Sequence, residues 1–372
     1  MWRPTVVTFI DTDGNVESGV DNGGLTVEAH SAFWREVCKS NLFSDGLPAP
    51  GAPPEQLVGV GRMLAKSLCD DHVTGSGLAR FALEYVVHGP AGRTLSSPRL
   101  ALEALSECDA ELAQRWRRCV ELSALAVGLI VAPGVSIIVK LTLAPSFVCS
   151  YLDAGSVPSG HELQLSNFDD DLAEEEDAPV TGANLVVAVL AGCRQRLLTK
   201  RRASLDALKR GFAESIDLSM QLAPLSSEQL ALMVRGRVSV SPEELVECFQ
   251  WPEPAEATKL VHGKSSWTAE KFVLACRLLR GVLSDAEAIN EGQRLALLQW
   301  ATGLNALPKG GLKDQTAGLI KLLPYPDASE ATLPEVHTCT RDMHLPPYTY
   351  PYQVTERLHK LLEHSDGGFN KE

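Results

Sequence analysis

The chain has 372 residues, 45% of them hydrophobic and 22% charged, with a formal net charge of −13. That length exceeds what one hydrophobic core usually serves, so two domains or lobes are expected. The acidic balance excludes nucleic acid as the main partner, because phosphate binding needs clustered Lys and Arg.

Met1-Trp2-Arg3-Pro4 runs directly into the strand-like Val6 to Ile10, and no signal peptide is expected. Asp21-Asn22-Gly23-Gly24 reads as a turn that opens a helix from about Val27 to Cys38. After a Pro/Gly/Ala-rich loop, Leu47 to Pro54, helices are expected at Leu57 to Leu68 and around Phe81 to Val86. A further helix is expected over Arg99 to Ala126. Leu122 to Val139 is uncharged, but Pro133-Gly134 splits it, so a buried helix, a turn and a core strand are expected rather than a membrane span. The acidic run from Asp169 to Asp177 reads as an exposed loop, since charges so dense repel within a packed element.

Helices resume from about Asn184 to Phe212 and from Ser226 to Val234, the latter opened by a Ser-Ser-Glu-Gln capping pattern. Gly236 to Pro242 reads as a hinge. Beyond it come helices at Ala269 to Val282 and Gly292 to Thr302, and a strand near Leu319 to Leu323. The last helix sets Val354, Leu358, Leu361 and Leu362 on one face and stops at Gly367-Gly368.

The nine cysteines are scattered, with no C-x-x-C, which argues against a zinc site and for free thiols in a reducing compartment. The expected location is therefore the cytoplasm, with the nucleus as an alternative. His344, His359 and His364 do not all share one element and form no metal set. Gly59-Val60-Gly61 lacks the third glycine of a dinucleotide fingerprint, and Gly263-Lys264-Ser265 has Thr258 where a phosphate loop needs glycine. Neither a cofactor nor a metal is expected.

One cysteine has a chemical setting. Leu333-Pro334-Glu335-Val336-His337-Thr338-Cys339, followed by Leu345-Pro346-Pro347-Tyr348, places Cys339 beside His337 in a proline-flanked frame. A reactive thiol needs a neighbour favouring the thiolate, partial exposure and rigid surroundings. In an extended segment His337 and Cys339 would share one side and Thr338 would take the other. The spacing alone also fits a structural cysteine next to a surface histidine.

These residues resemble the L-P-x-x-H-T-C … L-P-x-Y motif of the HECT family of ubiquitin ligases. Further fragments stand in the family's order: Asp21-Asn22-Gly23-Gly24-Leu25 with Glu28, Arg210-Gly211-Phe212, Glu228 to Gly236, Thr302-Gly303 … Pro308 … Gly311-Leu312, and the terminal Gly368-Phe369. The resemblance implies an α+β, bilobal fold. A larger, mostly helical N-lobe would span residues 1–240, with a conjugating-enzyme-binding part at about 125–210. A smaller α/β C-lobe would span 241–372 and join it through the hinge. The implied activity is a ubiquitin-protein transferase. Cys339 would take ubiquitin from a conjugating enzyme as a thioester and pass it to a lysine of an unspecified protein substrate. His337 and Thr338 come with the motif, Phe369 matches the tail aromatic that helps transfer, and Glu372 and Asp342 are the candidate acids. Departures are Thr340-Arg341 where the family has Phe-Asn, Ala188 and Gly192 where it has aromatics that grip the conjugating enzyme, and a start close to the first motif. They favour, as an alternative, a catalytically impaired HECT-like module that binds ubiquitin or a conjugating enzyme.

Overall fold

The computed structural model describes residues 10, 14, 24–75, 77–130, 185–215, 218–264, 266–315 and 318–365. The strand-like starts at Val6 and Val135, the acidic run, and the tail with Phe369 and Glu372 lie outside them. The chain forms two compact units. One comprises residues 1–36, 66–76 and 232–372, the other 37–65 and 77–231.

Elements follow the sequence periodicity closely. Helix α1 spans Gly24–Lys39, β1 Phe43–Ser44 and β2 Leu47–Pro48. Helix α2 spans Pro54–Cys69 and α3 Arg80–His88. The single helix expected over Arg99 to Ala126 is two, α4 Pro98–Cys108 and α5 Ala110–Ile130. The break falls at Asp109, whose backbone leaves helical geometry and whose carboxylate accepts the Leu112 amide at 3.0 Å. A capping side chain thus starts a new helix where periodicity alone reads one. Helices α6 (Leu185–Leu197) and α7 (Arg202–Ser215) follow, then the short α8 (Ser219–Leu222). Helix α9 (Ser227–Arg235) is opened by the expected cap: Ser226 Oγ accepts the Gln229 amide, and the Gln229 side chain accepts the Ser226 amide. No described helix is long and apolar enough to cross a membrane.

Helices α10 (Pro242–Glu247), α11 (Pro254–Leu260), α12 (Ala269–Leu283) and α13 (Glu291–Thr302) come next. Strand β3 (Phe249–Gln250) precedes α11; β4 (Ile320–Pro324), β5 (Glu335–His337) and β6 (Asp342–Leu345) precede the last helix, α14 (Pro351–Ser365). The four strands form one sheet in the order β3-β4-β6-β5, with the first two pairings parallel and β5–β6 antiparallel. Helix α14 buries the predicted face, Val354, Leu358, Leu361 and Leu362, in a core shared with Phe272 and Leu279 of α12 and Ile320 and Met343 of the sheet. Burying each such side chain stabilises by about 1.5–3 kcal/mol, which fixes the sheet on which the cysteine hairpin is built. The segment Gly236 to Pro242 is held at its start by two backbone hydrogen bonds between Arg237 and Leu307, at 2.7 and 2.9 Å.

The other unit has its core among α3 to α7, with Tyr85, Leu105, Leu185, Val189 and Leu205 buried. Beside it α2 meets α7 backbone to backbone. A Cβ on Gly61 would stand 2.1 Å from the Leu208 carbonyl oxygen, and one on Gly211 would stand 2.0 Å from that of Val58. Gly61 of the apparent dinucleotide fingerprint therefore sits inside a helix as a packing residue, and Gly211 of the Arg-Gly-Phe fragment is its counterpart. Gly59 has open space around its Cβ position. Gly61→Ala or Gly211→Ala should cost about 2–3 kcal/mol or more, because backbone must move on both helices. Gly59→Ala should be neutral or stabilise by about 0.5–1 kcal/mol. Denaturant unfolding midpoints of the three variants separate these outcomes.

Candidate active site

Strands β5 and β6 form a hairpin with His337 opposite Asp342, Val336 opposite Met343 and Glu335 opposite His344. Opposed residues share a face, and faces alternate along the strands. One face is apolar: Met343 is fully buried and Val336 packs on the core. The other gathers Glu335, His337, Asp342 and His344. The His337 and Glu335 side chains are about half exposed, with Nε2 and Oε1 4.0 Å apart. The His337 and His344 rings meet edge to face at 5.3 Å, and Tyr325 stands against His344 at 5.9 Å. Burial, with the neighbouring His337, lowers the His344 pKa; the bond from the Tyr325 hydroxyl to Glu335 raises that of the phenol.

The turn between the strands runs from Thr338 to Arg341 and carries the half-buried Cys339. The expected alternation of His337 and Cys339 along one strand is not what forms. Strand β5 ends at His337, and the Thr340 amide bonds back to the His337 carbonyl at 3.2 Å, closing a turn around Thr338 and Cys339. Cys339 is therefore presented at the tip of a hairpin whose polar face carries His337 and Asp342.

Arg341 fixes this turn; the sequence marked it only as a departure from the family motif and not as a turn residue. Its φ is +53°, a left-handed conformation that non-glycine residues seldom adopt. It is only 2% exposed, and Nη1 donates to the Gly318 carbonyl at 2.5 Å. Its own carbonyl accepts the Lys321 amide at 2.8 Å, seating the end of the turn against β4. Burial pulls the guanidinium pKa down to about 10, partly offset by the neighbouring Cys248. At the other end of the motif, the buried Tyr348 hydroxyl donates to the Thr332 carbonyl at 2.8 Å. The tyrosine of the second Leu-Pro fragment thus ties down the residue preceding the first.

Other thiols are less suited to attack. Cys193, Cys248 and Cys276 are buried, and burial pushes their pKa values up to about 12; that of Cys119 rises to about 11. Cys38 is exposed and Cys69 half-buried, but desolvation raises both pKa values. A thiol kept protonated is a poor nucleophile. Phe369 and Glu372 lie outside the described residues. Ala188 and Gly192 face inward on α6: Ala188 belongs to the core, whereas Val186 and Val187 are 43% and 57% exposed.

The HECT-domain (ubiquitin-transferase) family model matches residues 27–372. A Dictyostelium discoideum protein named bifunctional serine/threonine-protein kinase/NEDD4-like E3 ubiquitin-protein ligase is 26% identical over 213 residues, 55% of this chain and 10% of that protein. The E3 ubiquitin-protein ligase UPL4 of Arabidopsis thaliana is 26% identical over 166 residues, 44% of this chain and 10% of that one. The human apoptosis-resistant E3 ubiquitin protein ligase 1 is 24% identical over 185 residues, 50% of this chain and 20% of that one. The matched segment is a small part of each relative's length.

Two measurements probe the hairpin. Alkylation of the native chain followed by peptide mapping should label Cys339 and Cys38 well before Cys193, Cys248 and Cys276, which should react only after unfolding. Arg341→Ala should lower unfolding free energy by about 2–3 kcal/mol, since it deletes a buried charged donor and leaves the Gly318 carbonyl unpaired. Arg341→Gly should recover about 1 kcal/mol of that loss, because glycine tolerates the left-handed conformation.

Proposed function

We propose, from the fact that this chain belongs to the HECT-domain (ubiquitin-transferase) family, that it is a ubiquitin-protein ligase working through a thioester on Cys339. The observation that carries the reading is the half-buried Cys339 in the turn of the hairpin that pairs His337 with Asp342.

The reaction has two acyl transfers. The Cys339 thiolate attacks the carbonyl of ubiquitin held as a thioester on a conjugating enzyme. The tetrahedral intermediate expels that enzyme's thiolate, leaving ubiquitin on Cys339. A neutral substrate lysine amine then attacks the new thioester, Cys339 leaves as thiolate, and the nitrogen gives up a proton to a base. Splitting one hard transfer into two favours a soft, easily expelled nucleophile, and cysteine is the side chain that suits it. His337 is exposed enough to meet the incoming carbonyl or favour the thiolate. Thr338 shares the turn with the sulfur. Asp342, opposite His337, is the candidate acceptor of the amine proton, with Glu372 as the other carboxylate. Phe369 would brace ubiquitin during the second step.

In this reading the chain has a larger lobe to residue 240 and a smaller one from 241. Gly236 to Pro242 acts as a hinge that lets Cys339 meet the conjugating enzyme first and the substrate second. The partners are ubiquitin, a conjugating enzyme and a protein substrate, met in the cytoplasm or nucleus. A second reading, a binding module without transfer, draws on Ala188 and Gly192. The positions where the family carries gripping aromatics are small here and turned into the core.

Incubating the chain with activating enzyme, a panel of conjugating enzymes and ubiquitin should give a thiol-sensitive ubiquitin adduct, absent in Cys339→Ala. No adduct with any conjugating enzyme, or equal adduct from Cys339→Ala, would overturn the proposal. Phe369→Ala should keep the adduct while slowing its discharge to lysine.

A further inference from the structure

His30, Asp70 and His72 converge, each with a ligand atom within 4.8 Å of the others. They lie far apart in sequence, on α1 and just past the end of α2, so the spacing rule that argued against a metal did not reach them. The chain is turned back there without glycine. Asp71 takes φ +58°, the His72 amide bonds to the Ser67 carbonyl at 2.8 Å, and the Asp71 amide bonds to that of Leu68 at 3.4 Å. That is a Schellman closure, and it folds His72 back against His30, ring to ring at 4.4 Å.

Each imidazole has a buried nitrogen without a well-formed hydrogen bond, His30 Nε2 facing only the Asp70 carboxylate at 3.5 Å. His30 is 2% exposed, and its buried Nε2 makes no hydrogen bond; the same is true of Nδ1 of His72. Leaving such atoms unpaired is destabilising, so each is a candidate for a ligand's place. Nδ1 of His30 lies 3.0 Å from Ser67 Oγ, which also accepts the Trp34 indole N–H at 2.9 Å. With the Nδ1 proton on Ser67, the Nε2 lone pair is aimed past the ring toward Asp70, whose Oδ2 stands 3.5 Å away. Metal-binding histidines are oriented by such outer hydrogen bonds.

We propose that His30, Asp70 and His72 form a binding site for a divalent transition-metal ion of the zinc class, with Ser67 positioning His30. Two nitrogens and a carboxylate suit zinc, cobalt or nickel rather than calcium or magnesium, which take oxygen shells. Around a tetrahedral zinc, ligand atoms are about 3.4 Å apart given zinc–nitrogen distances near 2.1 Å. The His30–Asp70 separation already matches, and the widest gap closes by about 1.4 Å. A water or a hydroxide fills the fourth position. Lys66, partly exposed, is ion-paired with Asp70; its ammonium holds the carboxylate's countercharge until the metal displaces it. Burial lowers the pKa of both imidazoles. Such an ion would pin α1 to the end of α2.

The test uses the whole chain, stripped with chelator and titrated with cobalt(II) and zinc(II). One equivalent of cobalt should bind with visible bands of four-coordinate nitrogen and oxygen ligation and without a thiolate-to-metal charge-transfer band. Zinc should raise the melting temperature. His72→Gln should abolish both responses, and Asp70→Asn should do the same if His72→Gln does not fold. Ser67→Ala should weaken binding about 10- to 100-fold, while Cys69→Ala should leave it unchanged. No stoichiometric binding, a thiolate band, or equal binding by the folded ligand variants would overturn the site. Because binding and melting are read without ubiquitin, failure here leaves the ligase reading standing, and failure of adduct formation leaves the metal site standing.

Discussion

The buried Arg341 guanidinium, held by the Gly318 carbonyl, is the constraint on which the hairpin depends. A tight turn that carries a nucleophile needs one residue in left-handed conformation, and the family supplies asparagine there, which tolerates it. Arginine pays roughly 1–2 kcal/mol to sit so. Its charged hydrogen bond into β4's leading loop contributes about 1.5–3 kcal/mol, enough to offset the strain. The departure from the family motif is thus a different solution to the same backbone demand. The turn keeps its shape because the strain and its compensation belong to one side chain.

A second constraint is backbone proximity at the crossing of α2 and α7. Two glycines, one on each helix, let carbonyl oxygens sit where a methyl group would otherwise be. Phe212, next to Gly211, is 1% exposed. The Arg-Gly-Phe fragment is therefore a packing device: the glycine permits the approach and the phenylalanine side chain is buried. Several of the fragments that pointed to the family have this character. Thr302-Gly303 is another: Gly303 ends α13 in left-handed conformation at φ +74°, and Thr302 bonds the Leu298 carbonyl. Such residues announce a fold; the proposed chemistry would rest on the Cys339 hairpin.

The longer helices and the strand at Ile320–Pro324 were legible because their apolar positions recur at helical or strand spacing, and the cap at Ser226 is spelled out. The break at Asp109 was hidden because the apolar rhythm continues through it while one carboxylate resets the backbone. Cys339 and His337 were legible as a motif, but their relation was not. Alternation assumes an extended chain, and the turn-forming residue, Arg341, is a type that rarely signals a turn. Glu335 and His344 could have been found by pairing the two short polar-apolar runs on either side of the cysteine. The His30, Asp70 and His72 cluster had no such route, since its parts are joined only by folding.

Under the proposed ligase reading, the hydrogen bonds that hold the turn bear on both acyl transfers. In the proposed reading both transfers would use the Cys339 sulfur while bringing different partners to it, so the site would not be shaped by either partner alone. A fixed turn solves this: the sulfur and the polar face of β5–β6 stay constant, and specificity is left to surfaces elsewhere. The half exposure of Glu335 and His337 fits that division. An enclosed site would strengthen each electrostatic contact, but it would also bar a protein-sized acyl donor. The arrangement therefore trades strength at each contact for access, and relies on the buried supports beneath the turn, Arg341 and Tyr348, to keep the reacting group in position between encounters.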